Sequence, residues 1–513
     1  MGGPRATAAQ IEALGADVRA ADYTVERLEA AMGPVAAAAL EREQSVAAVR
    51  ALRPRAEPAA LLYRLFVLGE TAARRDVDAA LPRLGADGAE ACRLVQAAGS
   101  GPDDDVRALV DLAPYAAEDA AGRIDWWIAS DVGELASGRS LSADHVLGVG
   151  GASRTLAQLT VRESVARALD LGTGCGIQAL HAARRARAVV ATDVSERALS
   201  FAAFNAALAG ASLDLRRGSM LQPVAGERFG LVVSNPPFVI TPRAAGEHLP
   251  RYTYRDGGRA GDDLLRDLII GVADVLEPGG HAQLLGNWEH RREEGWRDRL
   301  DGWLRSSGLD GWVVQREVVD PAEYAETWLR DGGLTQDRDP AGWRASYEAW
   351  LDDFASRDVE GVGFGYVTLR RPVGGAATLR RVEEWTGNVA GPLGQHVVAG
   401  LRAHDWLAGT DDPALAASRL VVAADVTEER FYTPGDADPQ VVLLRQGGGF
   451  GRVVRVDATL AGLVGACDGE LTTGQIVGAL ASLVGVPAGQ LAADVLPPVR
   501  DLVRDGFLLA ESR

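Results

Sequence analysis

The stretch Ala168-Leu169-Asp170-Leu171-Gly172-Thr173-Gly174-Cys175-Gly176-Ile177-Gln178-Ala179-Leu180 runs from a short apolar strand through a glycine turn into an amphipathic helix. Glycines at 172, 174 and 176 permit positive φ and let the backbone approach a ligand more closely than a Cβ would allow. Val189-Val190-Ala191-Thr192-Asp193 then gives a second strand ending in an acid, about 20 residues on, the distance at which a ribose hydroxyl is usually met. Strand, turn, helix and strand in this order are the start of an α/β, Rossmann-like sheet. Taken alone, the turn serves equally a nicotinamide cofactor, another nucleotide or no ligand at all. Its spacing, G-x-G-x-G rather than G-x-G-x-x-G, and a motif at the fourth-strand position narrow the choice.

That motif is Leu231-Val232-Val233-Ser234-Asn235-Pro236-Pro237-Phe238, an apolar strand closed by Asn-Pro-Pro-aromatic. Two prolines fix φ and remove two backbone donors, so the carbonyls of the turn and the Asn235 side-chain oxygen are left to accept hydrogen bonds. A planar amide or exocyclic amine offers such donors, and Phe238 can lie flat against it. Standing alone, the motif would be read first as a proline-rich turn that ends a strand.

Together these residues resemble the class I S-adenosylmethionine-dependent methyltransferases, in the small-domain branch that includes the release-factor glutamine methyltransferases and the ribosomal RNA guanine N2-methyltransferases. The resemblance runs from Asp144 to about Arg371. It rests on Asp170 to Gly176 for the glycine motif, Asp193 for the acidic end of strand two, and Asn235 to Phe238 for the target-amine motif. Tyr254-Arg255-Asp256-Gly257-Gly258, Gly261 to Leu264 and Arg266 look like the loop and helix that follow in the glutamine branch. Val275 to Gly280 matches the turn before strand five, Ala282 to Gly286. One departure lies after strand three, where many relatives carry an acid and this chain has Gly218-Ser219-Met220.

The resemblance implies a seven-stranded methyltransferase sheet and S-adenosylmethionine as cofactor. Asp170, Gly172, Thr173, Gly174, Cys175, Gly176, Asp193, Ser219, Met220 and Asn235 would contact the cofactor, and Asn235, Pro236, Pro237 and Phe238 would hold the target nitrogen. Arg243, Arg251, Tyr254 and Arg255 would frame the substrate entrance, although a solvated run of loop charges explains the arginines as well. The resemblance also implies that the glycine-containing Ser142 to Leu156 lies as a strap over the cofactor, with Ser153 or Thr155 in contact; a flexible linker is the other reading. The implied substrate is macromolecular: a protein glutamine, or a base amine in structured RNA or DNA. A non-catalytic binding module retaining the fold is disfavoured by the intact motifs.

Composition bounds the rest. A chain of 513 residues, 47% hydrophobic and 24% charged, holds about three globular domains and is not disordered wholesale. Cys92, Cys175 and Cys467 are too far apart and too few for a disulfide framework, which points to a reducing cytoplasm. No run of 18 apolar residues marks a membrane span, and the scattered histidines lack metal-ligand spacing. The net charge of −18 opposes avid non-specific nucleic-acid binding. Lysine is absent, so every strongly basic side chain is arginine.

Three segments are expected: 1–140, 141–372 with a helical insertion near 321–357, and 373–513. In the first, helices within Glu26–Arg50, Ala59–Phe66, Arg75–Leu81 and Ala89–Val95 precede strands Val106–Leu112 and Trp126–Ser130, a winged-helix-like pattern. The third is expected to form a second winged helix from about residue 440, with strands Val441–Arg445 and Arg452–Val456 ahead of three helices. Balanced charges in both favour protein contact over reading of DNA.

Overall fold

The parallel strands of the central sheet form where apolar runs are covered on both faces, which is why Phe229–Ser234 is buried at every position. The computed structural model describes residues 2–119, 122–137, 142–243 and 257–510. Its main sheet has strands β1 (Val165–Leu171), β2 (Ala186–Asp193), β3 (Asp214–Arg217), β4 (Phe229–Ser234), β5 (Leu276–Arg291), β6 (Asp310–Val319), β7 (Val359–Arg370) and β8 (Arg380–Glu384). Their spatial order is β3-β2-β1-β4-β5-β7-β6-β8. β1 to β5 pair in parallel, β7 runs antiparallel to β5 and β6, and β8 pairs in parallel with β6.

The first seven strands have the order and direction of a class I methyltransferase sheet. β8 is an addition that the sequence did not announce. It overturns the expected boundary at residue 372: Pro372, Gly374 and Gly375 belong to the connection between two strands of one sheet. Trp312 donates to Glu383 at 2.8 Å, Gln315 donates to Glu384 at 3.2 Å, and the Arg381 guanidinium sits over the Trp312 ring.

The helices α1 (Ile177–Ala183) and α2 (Glu196–Leu208) follow β1 and β2, and α3 (Asp263–Gly271) and α4 (Trp296–Ser307) flank β5. α3 and α4 cover one face through Leu265, Leu268, Leu300 and Leu304, packed on Leu169, Val232 and Leu284. Helices α5 (Pro321–Asp331) and α6 (Pro340–Ala355) make up the expected insertion.

The chain divides into two compact units rather than three segments, one of residues 1–157 and 163–384, the other of 158–162 and 385–513. The N-terminal residues share a core with the catalytic sheet: Leu14, Leu65, Val106 and Ile128 pack with Ile177, Phe201 and Phe204 of α1 and α2. Within them, helix Pro58–Phe66, strand Ala72–Ala73, helices Arg74–Ala80 and Gly85–Ala91, and strands Val95–Ala97 and Asp105–Ala108 follow winged-helix order, with the last strand central. Glu26–Arg50 resolves into three helices, and Val106–Leu112 is not one strand. Asp105–Ala108 closes the small sheet, whereas Asp111–Asp119 pairs with Gly122–Ser130 as a separate hairpin.

The second unit corrects the other expected wing. Val441–Gln446 is the central strand of a sheet of its own, pairing with Val426–Phe431 on one side and Val453–Val456 on the other. Helix Ala458–Gly465, strand Asp468–Thr472, helices Thr473–Val484 and Ala488–Arg504, and strand Leu508–Ala510 instead take their central strand from upstream, Arg419–Val422. Among the described residues, no helix is long and apolar enough to cross a membrane.

Candidate active site

At the carboxyl ends of β1, β2 and β4, a cleft of about 330 Å³ opens where parallel strands leave their turns. Its floor is the glycine turn. Gly172 and Gly174 take φ of 73° and 55°, and a Cβ on either would meet only open space, so they are required by backbone conformation and leave the cleft clear. Gly176, with φ of 89°, does a different job from the one expected. It does not line the cleft; a Cβ there would lie 3.1 Å from the Ala202 Cα, so its bareness lets α1 approach α2.

Asp170 holds the turn together. It is 1% exposed, and its Oδ2 accepts from the Thr173 hydroxyl at 2.6 Å and the Ala179 amide at 2.9 Å. Burial pushes its carboxyl up to about 7. Asp193, at the tip of β2, accepts from the Gly174 amide at 3.0 Å and the Ser195 amide at 2.8 Å, and burial raises it as well. Both acids line the cleft, as do Thr173 and Cys175. Burial pushes the Cys175 thiol up to about 11, which removes it as a nucleophile.

The opposite wall is the end of β4. Ser234, Asn235, Pro236 and Pro237 line the cleft, and the Asn235 Oδ1 is buried without a hydrogen-bond partner. The Pro236 carbonyl already accepts the Phe238 amide at 2.8 Å, leaving one lone pair for a ligand. Phe238 departs from expectation. It is off the cleft wall and packs with Val239, Ile240, Tyr324 and Trp350 in an apolar cluster built largely by α5 and α6. Gly218 and Met220 line the adjacent side, while Ser219 is exposed and outside the cleft.

The strap is present. Residues 144–148 and 150–153 line the cleft, Ser153 among them, while Thr155 does not. Hydrogen bonding to Ser142 is the main cause holding the Asp144 carboxyl below its usual range. Burial lowers the His145 imidazole, which favours its neutral form. Arg243 donates to the Arg259 carbonyl at 2.8 Å, and Arg251, Tyr254 and Arg255 lie outside the described residues. No group of three or more His, Cys, Asp or Glu among the described residues could hold a metal ion.

Three supports have roles that the sequence did not assign. Asn205, fully buried in α2, donates to the Cys175 carbonyl at 2.8 Å. The Tyr324 hydroxyl accepts from the Ile240 amide at 2.9 Å and the Asn287 side chain at 2.6 Å. Asp262 and Glu289, both buried, are held by Arg299, Arg291 and Arg357 just beyond the end of β4. Each depends on residues distant in the chain, so only the folded molecule reveals it.

Residues 148–249 match the family described as Methyltransferase small domain. The central domain belongs to that small-domain branch of the class I methyltransferases. Either side of this methyltransferase domain, residues 20–109 and 399–510 match two domains of unknown function, DUF7059 and DUF7782. The release factor glutamine methyltransferase of Deinococcus radiodurans is 42% identical over 121 residues, which is 22% of this chain and 43% of that relative. The ribosomal protein uL3 glutamine methyltransferase of Bradyrhizobium diazoefficiens is 30% identical over 169 residues, 31% of this chain and 52% of the relative. The match thus spans about half the length of these curated relatives. A solved ribosomal protein L11 methylase from Lactobacillus delbrueckii subsp. bulgaricus superposes with a TM-score of 0.23 at 24% identity, covering 32% of this chain and 72% of that one.

Proposed function

We propose that the chain is an S-adenosylmethionine-dependent N-methyltransferase that acts on the side-chain amide of a protein glutamine. The observation that carries this proposal is the Asn235 Oδ1, buried on the cleft wall with no partner of its own. An unsatisfied buried acceptor costs about 1–3 kcal/mol, and a planar NH2 group is the ligand that removes this cost. The methyltransferase domain and the glutamine-modifying relatives support the same chemistry.

The cleft residues fit the cofactor. Two bare glycines leave room for it, the Asp193 carboxylate stands where ribose hydroxyls would donate, and Asp170 and the strap residues Asp144 to Gly148 border the remaining space. When bound, S-adenosylmethionine supplies a methyl group on a positively charged sulfur that is itself the leaving group. The chain therefore needs no nucleophile and no triad. Asn235 Oδ1 and the free lone pair of the Pro236 carbonyl hold the two N–H bonds of the amide and fix the direction of its nitrogen. Such positioning supplies roughly 7–11 kcal/mol of a barrier. The same oxygens stabilise positive charge growing on nitrogen, an effect typically worth about 2.7–4 kcal/mol per group. The proton then leaves to solvent, so His145 has no assigned part.

Incubating the chain with methyl-labelled cofactor and a bacterial extract tests the proposal. Label that survives nuclease, disappears with protease and maps to glutamine by mass spectrometry is the expected result. Label lost to nuclease would transfer the activity to a base amine, and absence of any label would overturn the proposal.

A further inference from the structure

Three consecutive residues at the end of the N-terminal hairpin, Ala129, Ser130 and Asp131, brace both sides of the cleft without belonging to the methyltransferase sheet. Ala129 exchanges two hydrogen bonds with the Asn205 amide, its N–H donating at 2.7 Å and its carbonyl accepting at 2.8 Å. The same Asn205 nitrogen reaches the Cys175 carbonyl, so the hairpin is tied to the glycine turn. Ser130 packs so closely against the strap that a Cβ on Gly148 would lie 2.9 Å from its Oγ.

Asp131 makes the strongest of these ties. It is 7% exposed. Its backbone N–H donates to the Val146 carbonyl at 3.0 Å, and its Oδ2 accepts the Val146 N–H at 2.8 Å. The two peptide groups flanking Val146 are therefore both held. Arg197 of α2 closes on the carboxylate with two nitrogens, Nε at 3.0 Å from Oδ2 and Nη2 against Oδ1. His145 Nδ1 stands 4.0 Å from Oδ2. His145 and Val146 line the cleft and Asp131 does not.

We propose that Asp131 is a positioning residue for cofactor binding, holding the strap in its binding-competent conformation over the cleft through Val146 and Arg197. This rests on the cofactor assignment made above. A strap released from Asp131 samples open conformations, and the apparent affinity falls by the fraction of time it spends closed. Charge-assisted hydrogen bonds from the half-buried Arg197 give the geometry its rigidity. A hairpin outside the methyltransferase fold would thereby set how tightly the domain holds its cofactor.

The experiment is calorimetric binding of S-adenosylhomocysteine to the full chain and three variants. Asp131→Ala is expected to weaken binding about tenfold or more, the effect of a strap closed a tenth of the time. Asp131→Asn keeps the shape and one acceptor for the Val146 N–H, so it should recover part of the loss and serves if the alanine variant does not fold. Asp119→Asn is the control. Asp119 lies on the same hairpin and holds Arg184 with two bonds of 2.8 Å, away from the cleft. A general loosening of the hairpin would affect both positions; the strap role affects Asp131 alone. Equal losses at both positions, or no loss at Asp131, would overturn the inference while leaving the cofactor assignment intact. Failure of the unaltered chain to bind S-adenosylhomocysteine would overturn the cofactor assignment, and the inference with it.

Discussion

Asn235 and Asp170 stand on the same cleft under opposite constraints, one an acceptor without a donor and the other an acid with two donors on one oxygen. For Asn235→Ala the expected outcome is S-adenosylhomocysteine affinity close to that of the unaltered chain and turnover lower by on the order of 10²-fold. Calorimetry and single-turnover labelling separate the two quantities, and unchanged turnover would remove the proposed role. Asp170 gives a pH prediction. Its carboxyl is raised from 3.8 to about 7, so the folded state favours the protonated form. That contribution to stability is complete below the unfolded value and is lost as pH climbs through 7. Asp170→Asn keeps an acceptor for Thr173 and Ala179 but never ionises. Its melting temperature relative to the unaltered chain should therefore rise between about pH 5 and about pH 8. A constant difference across that range would show that burial does not govern this group. Gly172, Gly174, Asp193 and Asn235 were legible because turn chemistry and strand-end position are local properties. Gly176 and Phe238 were not, since Ala202 and the aromatic cluster of the insertion decide what they do.

At the level of elements, the insertion is a buttress for the end of β4. Tyr324, Trp328, Trp343, Tyr347 and Trp350 recur in the sequence at roughly helical spacing, the pattern of a packed helical face, but that spacing does not record that the face lies against Val239 and Ile240. Tyr324→Phe removes the acceptor of two buried donors, the Ile240 amide and the Asn287 side chain. Each orphaned donor costs about 1–3 kcal/mol, so urea unfolding should show a loss of at least the lower figure. Turnover should fall while cofactor affinity holds, because the loosened segment follows Asn235 directly. Gly257 supports the same place. A Cβ there would lie 2.9 Å from the Pro237 carbonyl and 2.4 Å from Leu264, so Gly257→Ala should lower turnover in the same way. Equal turnover in that variant would show that the loop yields freely. Val106–Leu112 was misjudged as one strand because two sheets share it: Val106 pairs with Ala97 and Leu112 with Ala129. An alternating pattern does not record a change of partner.

At the scale of the molecule, charge decides between substrates more than fold does. The N-terminal flank follows winged-helix order, a scaffold that serves nucleic acid and protein alike, whereas the C-terminal small sheet takes its central strand from upstream. The net charge of −18 weighs against nucleic acid. A 20-nucleotide RNA should bind in about 0.15 M salt with a dissociation constant no tighter than about 10⁻⁵ M, measured by fluorescence anisotropy. Saturation in the nanomolar range would favour an RNA substrate. The class I sheet was readable at β1, β2, β4 and β5, whose strands carry apolar runs and whose turns carry motifs, while the charged β3, Asp214-Leu215-Arg216-Arg217, was implied only by the resemblance. The division of the chain was not. The turn residues around Pro372 look the same whether they link strands or domains, and the core shared by the N-terminal helices with α1 and α2 leaves no mark on either segment alone.

Among the described residues, β8 forms the outer border of the main sheet, and its sequence is Arg380-Arg381-Val382-Glu383-Glu384. A β6 left at that border would present Trp312, Val313 and Val314 to any extended foreign peptide seeking a ladder to join. Five residues with four charges make a poor template for such recruitment. The strand thus leaves that edge of the folded sheet a poor template for fibrillar self-association.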